Sequence, residues 1–186
     1  MCGCSIFEMH LNPLPLDPRD KVCRHVDAIF GAGVSDALPA AGNDDDDDGM
    51  GFEFSRKTGR IKNFSISGKL IATLRTDGGL ALTVAGAQFL ASSRSGKPFK
   101  ENCVVPVQDA VPFVTEGRSL FCRHVDRCGA NVKAGSDVAI ITVPNDGSDS
   151  YTVIAVGIAV LGFSQMGRYN RGVAVKVREG LKSRTT

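Results

Sequence analysis

The pentapeptide Cys-Arg-His-Val-Asp occurs twice in the chain, at 23–27 and at 122–126. Cys23, His25, Cys122 and His124 are together a Cys₂His₂ donor set, the type that holds structural zinc. Their spacing argues against that use. Zinc ligand pairs usually stand at other separations, and Cys128 follows Cys122 by an interval that matches no familiar knuckle. The first copy falls in a helical pattern and the second in a strand pattern. On a strand Cys122 and His124 would share a face, whereas on a helix Cys23 and His25 would not. Ordinary packing is therefore the preferred reading over zinc or thiol chemistry, and no metal is expected. Other chemical signatures are scarce. The chain has no GxGxxG, GxSxG or HExxH, and Gly96-Lys97 runs into Pro98 with Ala91 where a P-loop would begin. No catalytic residue and no cofactor are expected.

Cations give the stronger signal. Arg56, Lys57, Arg60 and Lys62 form a dense basic cluster. The net charge of +2 is unevenly spread: residues 1–50 carry 3 Lys/Arg against 10 Asp/Glu, 51–99 carry 8 against 2, and 100–186 carry 11 against 8. An acidic N-terminal stretch precedes a basic body, which suits a polyanionic partner. Gly117-Arg118-Ser119 places a guanidinium and a hydroxyl in a small turn, a combination suited to phosphate. Aromatic residues are 6% of the chain and Trp is absent, so extended stacking on single strands is not expected. A folded RNA read through shape, 2′-hydroxyls and phosphates fits better.

The elements that must position these groups are legible in part. Asp17 is set to cap a helix with Pro18 at its first position, Val22, Val26, Ile29 and Phe30 on one face, and Gly31 and Gly33 at its end. Residues 40–51 read as a mobile loop containing the acidic run Asp44 to Asp48. Phe52 and Phe54 alternate, Ile61–Ile66 and Lys69–Arg75 flank a Ser67-Gly68 turn, and Asp77-Gly78-Gly79 precedes Leu80–Thr83. A short helix suits Ala85–Ala91, and the polar stretch 92–102 reads as a linker before a final unit starting near Cys103. In that unit Gly117–Phe121 leads into a strand, Lys133–Val138 turns into a second, and Thr152–Ala159 and Arg171–Arg178 make two more.

Those four segments together resemble a PUA domain, a small β barrel of RNA-modifying proteins. Asp27–Gly33, Ser55–Ile61, Leu74–Gly79 and Leu82–Ala87 resemble the pre-PUA module that stands before it in archaeal tRNA-guanine transglycosylase. The resemblance implies an α+β fold, with a small mixed α/β pre-PUA-like module followed by a PUA-like β barrel. Its implied divisions are a lead-in at 1–16, the pre-PUA-like module at 17–98 and the RNA-binding domain at 99–186. It further implies RNA contacts from Gly117, Arg118, Ser119, Phe121, Ala155, Gly157, Arg171 and Gly172. Arg168, and the first-module cations Arg56, Lys57 and Arg60, are added to that set. The partner expected is structured RNA, most of all tRNA, in tRNA modification or translation, with a possible separate catalytic subunit.

The chain's six cysteines are an even count that would allow disulfides, but a chain this long and core-rich needs no such staples. A start at Met1-Cys2-Gly3-Cys4 that lacks an apolar leader points to reduced thiols and a cytoplasmic location. No stretch reaches the roughly 20 apolar residues of a membrane span.

Overall fold

The computed structural model describes residues 16–39, 49–92, 96–143 and 151–183. The acidic run Asp44 to Asp48 and most of the lead-in lie outside the described residues. The first helix, α1 (Pro18–Phe30), forms where its apolar spacing places it and buries Val22, Val26 and Phe30. Asp17 stands at its N-cap but makes no side-chain cap bond, contrary to expectation. Gly31, at φ 110°, ends the helix. A 3₁₀ turn, Val34–Ala37, follows and is tied back when Ser35 donates its amide and hydroxyl to the Asp27 carboxylate.

A four-stranded antiparallel meander comes next: β1 (Met50–Phe54), β2 (Ile61–Ile66), β3 (Lys69–Leu74) and β4 (Leu80–Leu82), in that spatial order. The β1 strand begins inside the stretch expected to be loop up to Gly51. Helix α2 (Val84–Ser92) then packs on the sheet so closely that a Cβ on Gly86 would stand 2.1 Å from the Ile71 carbonyl oxygen.

The described part of the expected linker, residues 96–102, is instead packed structure. Residues Gly96–Lys100 form α3, Phe99 is fully buried, and the Asn102 amide group donates to the Phe30 carbonyl at 2.6 Å. Polarity and Pro98 suggested a linker, but one aromatic and one hydrogen-bonded amide seat the stretch in the core.

The second unit is a six-stranded mixed sheet curled into a nearly closed barrel. Its strands are β5 (Cys103–Pro106), β6 (Leu120–Phe121), β7 (Val125–Cys128), β8 (Asp137–Thr142), β9 (Thr152–Ala159) and β10 (Val173–Gly180). They run in the order β6-β10-β9-β8-β5-β7, with β5 and β8 parallel and the other pairs antiparallel. Two short helices, α4 (Val111–Thr115) and α5 (Phe163–Met166), fill its connections.

Among the described residues two hydrophobic clusters form the core. One lies inside the barrel. The other runs through the first unit and continues into the second, joining Val22, Phe30, Phe64 and Leu90 to Ala139, Ile141, Val153 and Val156. Side-chain bonds to backbone cross the same boundary. Gln88 accepts the Val153 amide at 2.8 Å, and Glu179 accepts the Val84 amide at 3.3 Å. Among the described residues no helix is long and apolar enough to cross a membrane.

Candidate nucleic-acid interface

Helix α4 is only one turn long, and Gly117 ends it at φ 94°, a left-handed conformation that glycine adopts without penalty. Its amide donates to Val114 O at 2.9 Å, and the Arg118 amide donates to Phe113 O at 3.0 Å. This tight reversal folds Arg118 back over the helix. Its guanidinium lies 5.5 Å from the centre of the Phe113 ring. The side chain is 69% exposed and its pairing with Glu116, at 3.6 Å, is equally open to water. Such a pair contributes little and is readily exchanged for another anion.

Chain direction then brings Ser119, Leu120 and Phe121 around the same spot. Phe113 and Phe121 remain 52% and 50% exposed. With Arg123 and His124 they line an open cleft of about 230 Å³. Arg123 Nε donates to His124 Nε2 at 3.0 Å, which presents its guanidinium along the cleft rim. The arrangement offers two flat apolar faces and two delocalised cations, groups able to take a base face and a phosphate together.

Strand pairing places Gly172 beside this cleft. The Cys122 amide donates to Gly172 O at 3.0 Å, and Val173 pairs with Phe121. Gly172 has φ 96°, and Arg168 and Arg171 are exposed in the same connection. Arg56, Lys57 and Arg60 are exposed in the 55–60 loop that joins β1 to β2. Among the described residues no carboxylate pairs with Arg56, Lys57, Arg60, Arg168 or Arg171.

Two residues of the expected set sit elsewhere. Ala155 is fully buried inside the barrel. Gly157 is also buried, and a Cβ there would meet the Lys176 carbonyl oxygen at 2.4 Å. Both are packing positions of β9, where inward-facing side chains and close strand contact leave no surface to present. Sequence reading missed Phe113 and Arg123. Phe113 carried no signal, because one exposed aromatic cannot be told from a core one by periodicity. Arg123 lies in the repeated pentapeptide, whose chemistry-bearing spacing belongs to its Cys and His and carries no signal for the arginine.

The two copies of that pentapeptide have different settings. The first lies on α1, where Cys23 packs against the first hydrophobic cluster and burial raises its thiol pKa. The second was expected on a strand. Cys122–His124 is instead a 3₁₀ turn, with Cys122 buried in the barrel cluster and His124 at the cleft. Among the described residues no three His, Cys, Asp or Glu side chains gather as a metal site.

Comparison with known proteins agrees with this architecture. Residues 104–181 match the PUA domain family. The chain carries a PUA domain. Residues 23–97 match the patch-forming domain C2 of tRNA-guanine transglycosylase, so the PUA domain follows a module of that type. A tRNA-guanine(15) transglycosylase of Methanobrevibacter smithii is 32% identical over 167 residues, covering 89% of this chain and 23% of that protein. The chain thus spans about a quarter of the length of such relatives, which are archaeal. Solved structures share the fold, among them two that cover most of this chain. A hypothetical protein of Pyrococcus horikoshii OT3 superposes with a TM-score of 0.62 at 16% identity, over 89% of this chain and 91% of that one. A PUA domain protein of Aeropyrum pernix K1, crystallised as a tartrate complex, gives 0.57 at 14% identity, over 89% and 82%.

Proposed function

We propose that this chain is an RNA-holding unit for tRNA modification, without catalysis of its own. It grips folded tRNA through the Arg118 cleft of the PUA domain and the basic hairpin at Arg56, Lys57 and Arg60. The reading is carried by one observation: Arg118 lies over Phe113 beside an equally exposed Phe121, in an open cleft rimmed by Arg123. The named transglycosylase relatives support tRNA as the RNA and modification as the setting. The reaction would then belong to a transglycosylase-type catalytic domain, in the same protein or in a separate subunit, with this chain supplying affinity and placement. No cofactor is required by such a role, and the setting it fits is the cytoplasm.

Phosphate contacts release counterions, so binding must weaken with salt. With about 3–5 phosphates neutralised, log K against log salt falls with a slope of roughly −2 to −4. Filter binding of a tRNA transcript across a salt series measures it. Absence of affinity at low salt, or a flat response, sinks the reading.

A further inference from the structure

The junction between the two units holds a charged clamp. Asp137, the first residue of β8, is 5% exposed. Its Oδ2 accepts from Arg75 Nη1 at 3.2 Å, and its Oδ1 accepts from Arg178 Nη1 at 3.0 Å. Arg75 comes from the β3–β4 turn of the first unit. Arg178 belongs to β10, and its other terminal nitrogen donates across the boundary to the Leu82 carbonyl of β4. Asp77 orients Arg75 by accepting its Nε at 3.0 Å, and itself accepts the Gly79 amide at 2.9 Å. A Cβ on Gly79 would stand 3.0 Å from Arg75 Cζ and 3.2 Å from Asp137 Oδ2, so the clamp is built around a glycine.

Along the strand order of the two sheets, this clamp stands between the two basic groups. In the meander, the 55–60 loop and the 75–79 turn leave the sheet at the same end. Their tips are about two strand spacings apart, roughly 10 Å. In the barrel, Leu120, Val175 and Ala159 follow one another across β6, β10 and β9, and the Ala159 amide donates to Ser136, next to Asp137. The Arg118 cleft therefore stands on the same transverse row as Asp137, three strands round the nearly closed barrel.

We infer that Asp137 is a positioning residue that fixes the angle between the basic hairpin and the Arg118 cleft, so that both meet one folded RNA at once. The inference rests on the RNA-binding reading above. Shared apolar burial holds the units together but is non-directional. The seam is crossed by two directed bonds, Arg75 to Asp137 and Arg178 to the Leu82 carbonyl, and the Asp137 carboxylate holds both arginines in place, which defines an orientation. Once one group has bound, the other acts at high effective concentration only while that geometry lasts.

The test combines Asp137→Asn and Arg75→Gln with neutralisation of the hairpin by Arg56→Gln, Lys57→Gln and Arg60→Gln. Each protein is titrated with a tRNA transcript, and residual dipolar couplings on the free protein measure the angle between the two sheets. In the wild-type background hairpin neutralisation is expected to weaken binding about ten-fold, and in either clamp variant by less than about two-fold. The couplings are expected to show the sheets reoriented with each sheet's own pairing intact. An equal loss in all backgrounds, or an unchanged angle, overturns the inference. Should Asp137→Asn fail to fold, Arg75→Gln, altered on a surface turn, carries both measurements. A wild type without tRNA affinity overturns the RNA reading, and the angle alone then decides whether Asp137 orients the units.

Discussion

The rings of Phe30 and Phe99 meet edge to face, their centroids 5.4 Å apart and their planes inclined at 67°. Phe30 ends the first helix and Phe99 sits just before the first barrel strand, so this contact closes the seam between the two units. Phe99→Ala is expected to cost about 3–5 kcal/mol, since it removes a fully buried aromatic and leaves a cavity. Calorimetry of the wild type should show one cooperative transition, because a continuous core couples the units. Two separate transitions in the wild type would mean that the seam is weak.

Arg118→Ala should weaken tRNA binding roughly ten-fold, the value of about one charge-assisted phosphate bond. Its effect on stability should stay below about 0.5 kcal/mol, as expected of an exposed side chain. Arg24→Ala, in the acidic N-terminal stretch, serves as the comparison and should change binding far less. Paired titrations with thermal melts as folding control decide it. Unchanged affinity for Arg118→Ala would move the interface to the hairpin at Arg56, Lys57 and Arg60.

Gly157→Ala should destabilise the barrel by about 1–3 kcal/mol, because the added methyl drives into the β10 backbone. Any loss of RNA binding should then track the unfolded fraction. A variant that melts like wild type yet binds RNA poorly would restore Gly157 to the interface.

Burial raises the Cys128 thiol from an ordinary 9.0 to about 11. The folded state therefore keeps a proton that the unfolded chain gives up. This contribution to stability is complete below about pH 9 and is lost as pH rises toward 11. Denaturant midpoints of wild type and Cys128→Val, compared from pH 8 to 10.5, should show a shallower decline in the variant. Parallel declines would assign the alkaline loss to other buried groups, such as Tyr151, which burial pushes up to about 12.

Local signals in the sequence determined α1, the meander and most barrel strands. Apolar period, a Pro at a helix start and two-residue turns act within a few residues, and β2 runs from Ile61 to Ile66 as its pattern requires. The PUA-type segments were likewise legible, because their order along the chain survives without any contact being known. Tertiary structure alone decided the rest. Phe99 and Asn102 turned a polar stretch into core, since burial depends on what packs against a segment rather than on its mean polarity. It brought Phe113 and Arg123 to the Arg118 cleft, and took Ala155 and Gly157 away from it, through strand facing and register. Arg75, Asp137 and Arg178 are far apart in sequence and carry no local pattern. Only the docking of one sheet against another made them neighbours.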